Sequence, residues 1–303
     1  MNNDGFLYTP KDVGQFAEFA AETGEYVSHF GLAAANFTPI YREPQIYSID
    51  DIDARIGSKA DVEGPLLSAH RLAKFYMISC GDALLSCCEL IRKDHPLHIG
   101  SAALARSGAE HGSKVMYLAD PEIDWKVRVL RTYALFRDGL SEYKSSNYDG
   151  VTKLISDWDK WRDRTGKDFR GTQKQTVGSN RALIEKHFDH ALAYDELSRP
   201  THGNAIWMTL AVLHEQQRTT YTVCATMRNF TFALNVCLAA GDRLCELWGL
   251  DRDEVLATVA KQHSANLPTW AELNERCEAV RAGVDMLADA VDMTLTEDPQ
   301  PRR

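Results

Sequence analysis

Apolar residues recur along this chain at helical spacing, and no stretch shows the two-residue alternation of a half-buried strand. From Pro65 to Arg92, Ala69, Leu72, Ala73, Tyr76, Cys80, Ala83, Leu84, Cys87, Cys88 and Ile91 form one wide stripe, which predicts a long helix. Asp94-His95-Pro96 is expected to end it, because proline disfavours helix in the residue before it. Ser101 to Asp120 follows as a central helix. Leu104, Gly108, Val115 and Leu118, with Ala105, Ala109, Gly112 and Met116, make most of its circumference apolar or small. Arg106 and Glu110 nevertheless sit at i and i+4 in its middle, with Ser113 and Tyr117 continuing their face. A charged pair on so crowded a helix must be partnered, or its burial costs several kcal/mol.

The remaining segments read the same way. Thr9-Pro10-Lys11-Asp12 reads as a cap with a first-turn proline and acid, Val13 to Phe30 continues as an N-terminal helix, and residues 31–63 form an irregular connection in which Ser48-Ile49-Asp50-Asp51 would cap a short helix. Asp120-Pro121-Glu122 reads as a cap and first turn, opening a helix over Ile123 to Tyr143 that Arg128, Arg131 and Arg137 decorate. Tyr148 to Arg164 is helical, residues 167–179 are a polar, basic loop, and Asn180 to Ser198 is helical in one or two pieces. Arg199 to Asn204 breaks it. Residues 205–248 hold two helices, and Asp251 to Gln262 and Thr269 to Leu295 are amphipathic. The expected fold is all-α: a multi-helix bundle over residues 64–296, mostly antiparallel, preceded by residues 1–63 and followed by a polar tail at 297–303.

Composition narrows the classes. A net charge of −9 argues against passive binding to nucleic acid, while leaving room for a local basic site. Seven cysteines without a CxxC pair read as reduced core thiols, which suits a cytoplasmic protein. The N-terminus carries no basic-then-apolar leader, and no apolar run reaches the ~18 residues of a membrane span. GxxxxGK[ST], GxGxxG and GxSxG motifs are absent, which argues against the nucleotide and hydrolase chemistries they serve.

Four constellations hold candidate chemistry. In Arg106-Ser-Gly-Ala-Glu110-His111, histidine follows arginine by five residues, and this resembles the Rx4H form of the Rx4–6H signature of HEPN domains. The resemblance implies a helical bundle, a homodimer and a metal-independent RNase of a bacterial defence or toxin system. Arg106 would then hold the phosphate, His111 or His202 would serve as acid and base, and Glu110 would orient the arginine. Spacing of i+5 nonetheless sets Arg106 and His111 about 140° apart on a helix.

Tyr194-Asp-Glu-Leu197-Ser198-Arg-Pro-Thr-His202 resembles the YxxLSxxxH element of a group of bacterial helical proteins that carry an arginine and a glutamate on an earlier helix. The resemblance spans roughly residues 65–215, implies a helical bundle and brings no activity with it. Tyr194 and Ser198 share a face, and His202, just past a proline, can turn back over the helix end. Arg106, Glu110, Tyr194, Ser198 and His202 are therefore expected to meet, either as a site or as a network fixing helix register. Tyr194, Ser198 and Tyr117 are the candidate substrate contacts.

His187-Phe-Asp189-His190 has HxxH spacing, but no ExxH or HExxH partner completes a metal set, so no metal or other cofactor is expected. Asp50-Asp51-Ile-Asp53 invites comparison with class I terpene synthases, whose second metal-binding motif has no counterpart here, and is read as helix capping. Beside RNA cleavage stand two alternatives: a small-molecule binder or enzyme of specialised metabolism built on an interior polar pocket, and a non-catalytic interaction protein using its acidic surface.

Overall fold

In a computed structural model, residues 10–37, 48–93, 98–143, 148–188, 191–216, 221–263 and 266–296 are described. Among them are twelve α-helices, one short 3-10 turn and no strand, packed as one helical domain. The helices are α1 (Pro10–Asn36), α2 (Ile49–Ile56), α3 (Pro65–Ile91), α4 (His98–Leu118), α5 (Trp125–Gly139), α6 (Asp149–Arg164), α7 (Asn180–Phe188), α8 (Ala191–Thr201), α9 (Ala205–Gln216), α10 (Tyr221–Trp248), α11 (Arg252–His263) and α12 (Trp270–Thr296). The expected all-α bundle is thus observed; α1 starts at Pro10, the expected first-turn proline, and runs past Phe30 to Asn36. The Asp94-His95-Pro96 stop lies outside the described residues.

Four helices make the centre. α4 packs on α3 and α10, and α1 packs on the same two. Small residues permit the close approach. A Cβ on Gly112 would stand 2.3 Å from the Val236 side chain, and one on Gly24 2.7 Å from Cys88 Sγ. The pairs Cys87–Ser101 and Cys80–Gly112 run in opposite senses, so α3 and α4 are antiparallel. Ser101–Asn229 and Gly112–Val236 run in the same sense, so α10 lies parallel to α4. The intervening excursion through α5 to α9 returns the chain to the end from which α4 began. All seven cysteines are buried thiols, and burial lifts Cys87 to about 12. Buried thiols of this kind are inert packing groups. α10 is, among the described residues, the one helix long and apolar enough to cross a membrane, yet 72% of its most apolar window is inside the bundle.

A second, smaller core unites α2, the start of α3, α5 and α6. Trp158, Trp161 and Phe169 stack edge to face at its centre, and Trp161 Nε1 donates to the Ile56 carbonyl at 2.7 Å. Two acids of the cluster beside it, Asp51 and Asp53, serve as caps. Ser48 and Asp51 form a reciprocal capping box on α2. Asp53 accepts from the Leu66 and Leu67 amides at 2.7 and 2.9 Å, and so caps α3, whose own N-cap, Gly64, has no side chain to offer.

The start of α5 differs from expectation. The cap is Asp124, which accepts from the Val127 amide at 2.8 Å, and Asp120 instead takes a charged bond from Arg131 at 3.1 Å. The α5 arginines are not all surface decoration, since Arg128 and Arg131 are buried. Arg128 donates to the carbonyls of Leu118, Asp120 and Ile123, and Arg131 to that of Tyr117. Two guanidinium groups therefore close the carbonyl end of α4, where the helix dipole is negative.

Candidate functional site

The central helix holds its charged pair on the side that faces α8. Arg106 Nε donates to Glu110 Oε1 at 3.0 Å, one turn along α4. Its other nitrogens reach α8: NH2 donates to the Tyr194 hydroxyl at 3.0 Å, and NH1 to Thr201 Oγ1 at 3.3 Å. NH1 also lies 2.8 Å from His202 Nε2. The Tyr194 hydroxyl closes the ring by donating to Glu110 Oε1 at 3.2 Å, and its aromatic face lies under the guanidinium at 5.1 Å. Arg106 and Glu110 are each 23% exposed, so the cluster is half-buried and open to solvent on the His202 side.

The turn after α8 fixes where His202 stands. The helix runs through Pro200 to Thr201, further than the proline suggests, and then closes on a left-handed Gly203 with φ +62°. The Asn204 amide donates to the Arg199 carbonyl at 3.1 Å and the Gly203 amide to that of Pro200 at 3.2 Å, which is the Schellman pattern. Asn204 in turn caps α9 through the Trp207 amide at 3.0 Å. His202 is thus the last residue before a rigid corner, exposed, with its ring returned toward α4.

Because arginine can only donate, His202 Nε2 is the acceptor in this contact, which leaves its proton on Nδ1. Burial works against the charge of Arg106, but Glu110 and Tyr194 outweigh it and raise its pKa above the ordinary value. A permanently charged guanidinium beside an exposed imidazole and a phenol suits an anionic group with a transferable proton nearby.

Four of the seven candidate residues therefore meet: Arg106, Glu110, Tyr194 and His202. Ser198 lies on the same side of α8, but its hydroxyl donates to the Tyr194 carbonyl at 2.6 Å. His111 lies around the helix from Arg106, as i+5 spacing requires, and its ring stacks on Tyr76 with centroids 6.0 Å apart. Burial, with Lys114 next to it, lowers the pKa of His111 and keeps it neutral at pH 7. Tyr117 belongs to the carbonyl end of α4: Arg131 covers its ring at 4.4 Å and its hydroxyl donates to the Thr176 carbonyl at 3.1 Å. That bond ties the 167–179 loop to α4. Thr201 is the contact that residue reading passes over, although Tyr194, Ser198 and Thr201 stand at i, i+4 and i+7.

His187 is half-buried, its pKa lowered to about 4 by burial and by Lys186, and its HxxH partner His190 lies outside the described residues. Among the described residues no group of three or more His, Cys, Asp or Glu side chains is arranged to hold a metal ion. An open cavity of about 730 Å³ lies between α2 and the start of α3, lined by Asp50, Asp53, Lys59, Glu63 and Arg71 among others, and shares no residue with the Arg106 cluster. Comparison of the chain with protein-family models, curated proteins and solved structures gave no match.

Proposed function

We propose that the Arg106–Glu110–Tyr194–His202 cluster is the centre of a metal-independent RNase, in keeping with the HEPN-like arginine motif but with His202 in the role of acid and base. The observation that carries this reading is the 2.8 Å contact between Arg106 NH1 and the exposed His202 Nε2. A phosphodiester oxygen takes the place of His202 on the arginine, and this releases the Nε2 lone pair next to the phosphate. Nε2 accepts the proton of the neighbouring ribose 2′-hydroxyl as the 2′-oxygen bonds to phosphorus. The bond from phosphorus to the 5′-oxygen breaks, and the imidazolium returns its proton to that oxygen, leaving a 2′,3′-cyclic phosphate. Glu110 and Tyr194 act as positioning residues that hold the guanidinium in place.

The test is cleavage of single-stranded RNA in excess chelator. Arg106→Met and His202→Ala should each lose ~100-fold or more in rate, the usual scale for an acid/base or phosphate-binding group. His111→Ala should cleave as the wild type does. Equal cleavage by the wild type and all three variants, or loss confined to His111→Ala, overturns the proposal.

A further inference from the structure

The helix that follows His202 is out of place on a surface. α9 has no charged residue between Ala205 and Leu213, and Ile206, Met208, Leu210, Val212 and Leu213 are 75, 38, 49, 51 and 46% exposed. At ~100° per residue these side chains cover about 200° of the helix circumference, leaving only the side of Trp207 and Ala211 toward the bundle. The polar residue inside that arc, Thr209, uses its hydroxyl on the Ala205 carbonyl at 2.8 Å. A helix that is apolar nearly all round is normally buried.

We infer that α9 is covered by α9 of a second copy of this chain, packed across a two-fold axis. The area is right. At ~150 Å² for a fully exposed large apolar side chain, the five residues present roughly 400 Å². A standard interface buries about 800 Å² per partner, a little over half of it apolar, so α9 alone supplies most of the apolar part of one face. The charge is right as well. Two chains of net charge −9 repel one another, and residues 205–213 of α9 bring no charge to such a contact. A bilayer is a poorer occupant. Twelve residues reach ~18 Å, short of the ~30 Å hydrocarbon core, and an acidic chain is repelled by anionic headgroups. The inference stands on α9 and does not need the chemistry at Arg106. It sets His202, three residues before α9, at the rim of the interface.

The experiment is the solution mass of the whole chain by light scattering at tens of micromolar, for the wild type, Ile206→Glu, Leu213→Glu and Thr209→Lys. Each altered side chain is exposed in the single chain, so helicity by circular dichroism should not change. Thr209→Lys leaves all five exposed apolar side chains in place. The wild type should run at twice the 34.0 kDa of one chain, and each variant as a single chain, with dissociation made easier by ~100-fold or more. A monomeric wild type, variants that stay dimeric, or wild-type protein that pellets with phosphatidylcholine vesicles would each overturn it.

Discussion

Gly112→Leu should cost the fold about 4 kcal/mol or more, a large share of the 5–15 kcal/mol that stabilises most proteins. Gly112 lies where α4 meets both α3 and α10. A single added carbon would stand 2.3 Å from Val236 Cγ1 and 3.3 Å from Cys80 Sγ, with the Val236 carbonyl oxygen behind it at 3.7 Å. Valine on a helix has one strongly preferred rotamer, so the neighbour cannot swing aside. Gly112→Ala alone should cost ~1–3 kcal/mol, because the crowding exceeds the ~1 kcal/mol that alanine contributes as the better helix former. Leucine adds three more carbons with no space for them. Urea titration of both variants, with Gly139→Leu as a control in open space, is the check. A Gly112→Leu protein as stable as the wild type would mean that α4 and α10 do not approach as described.

The second large effect is acid destabilisation through His70. Its side chain is fully buried on α3 and accepts from Trp248 Nε1 at 3.0 Å through Nδ1. Burial, reinforced by the nearby Arg128 charge, drives its pKa down from 6.5 to about 3. The unfolded chain therefore binds a proton below pH ~6.5 that the folded chain refuses. The stability that His70 contributes is complete above pH ~6.5 and declines as the pH falls toward 3, by about 1.4 kcal/mol per unit. The window from pH 6.5 to 5 is the clean one, since most carboxylates are still ionised there. His70→Asn keeps an acceptor at the Nδ1 position for the indole and cannot titrate. Its stability should fall less steeply across that window, by one proton, than that of the wild type. Parallel slopes would refute the burial of a neutral histidine at this position.

Much of the Arg106 centre is legible in the sequence, and the reasons are local. Arg106 and Glu110 stand at i and i+4, and Tyr194 and His202 flank the end of one helix, so intrahelical spacing already places them in pairs. That α8 lies against α4 does not follow from spacing. It depends on packing small side chains of α4 on its other sides against α3 and α10. His111 shows the converse: its closeness to Arg106 in sequence means nothing once the helix turns it toward Tyr76. Arg128 and Arg131 read as surface charge because arginine usually is surface charge. Their burial depends on unsatisfied carbonyls at the end of a different helix, which no pattern within α5 can show. Asp53 is similar, since the helix it caps is not its own. α9 is the reverse case: its side chains are mostly apolar, yet Ile206, Met208, Leu210, Val212 and Leu213 are exposed.

At the heart of the site a guanidinium donates a hydrogen bond to an imidazole nitrogen and, as proposed, yields that place to a phosphate. Nitrogen-15 NMR of the imidazole rings at neutral pH, assigned with His202→Ala, reads it directly. The expected result is a bare Nε2 on His202 with the ring proton on Nδ1, an arrangement that Arg106→Met relaxes and that a non-cleavable 2′-deoxy oligonucleotide shifts. A His202 ring protonated on Nε2, or one that responds to neither change, would contradict it.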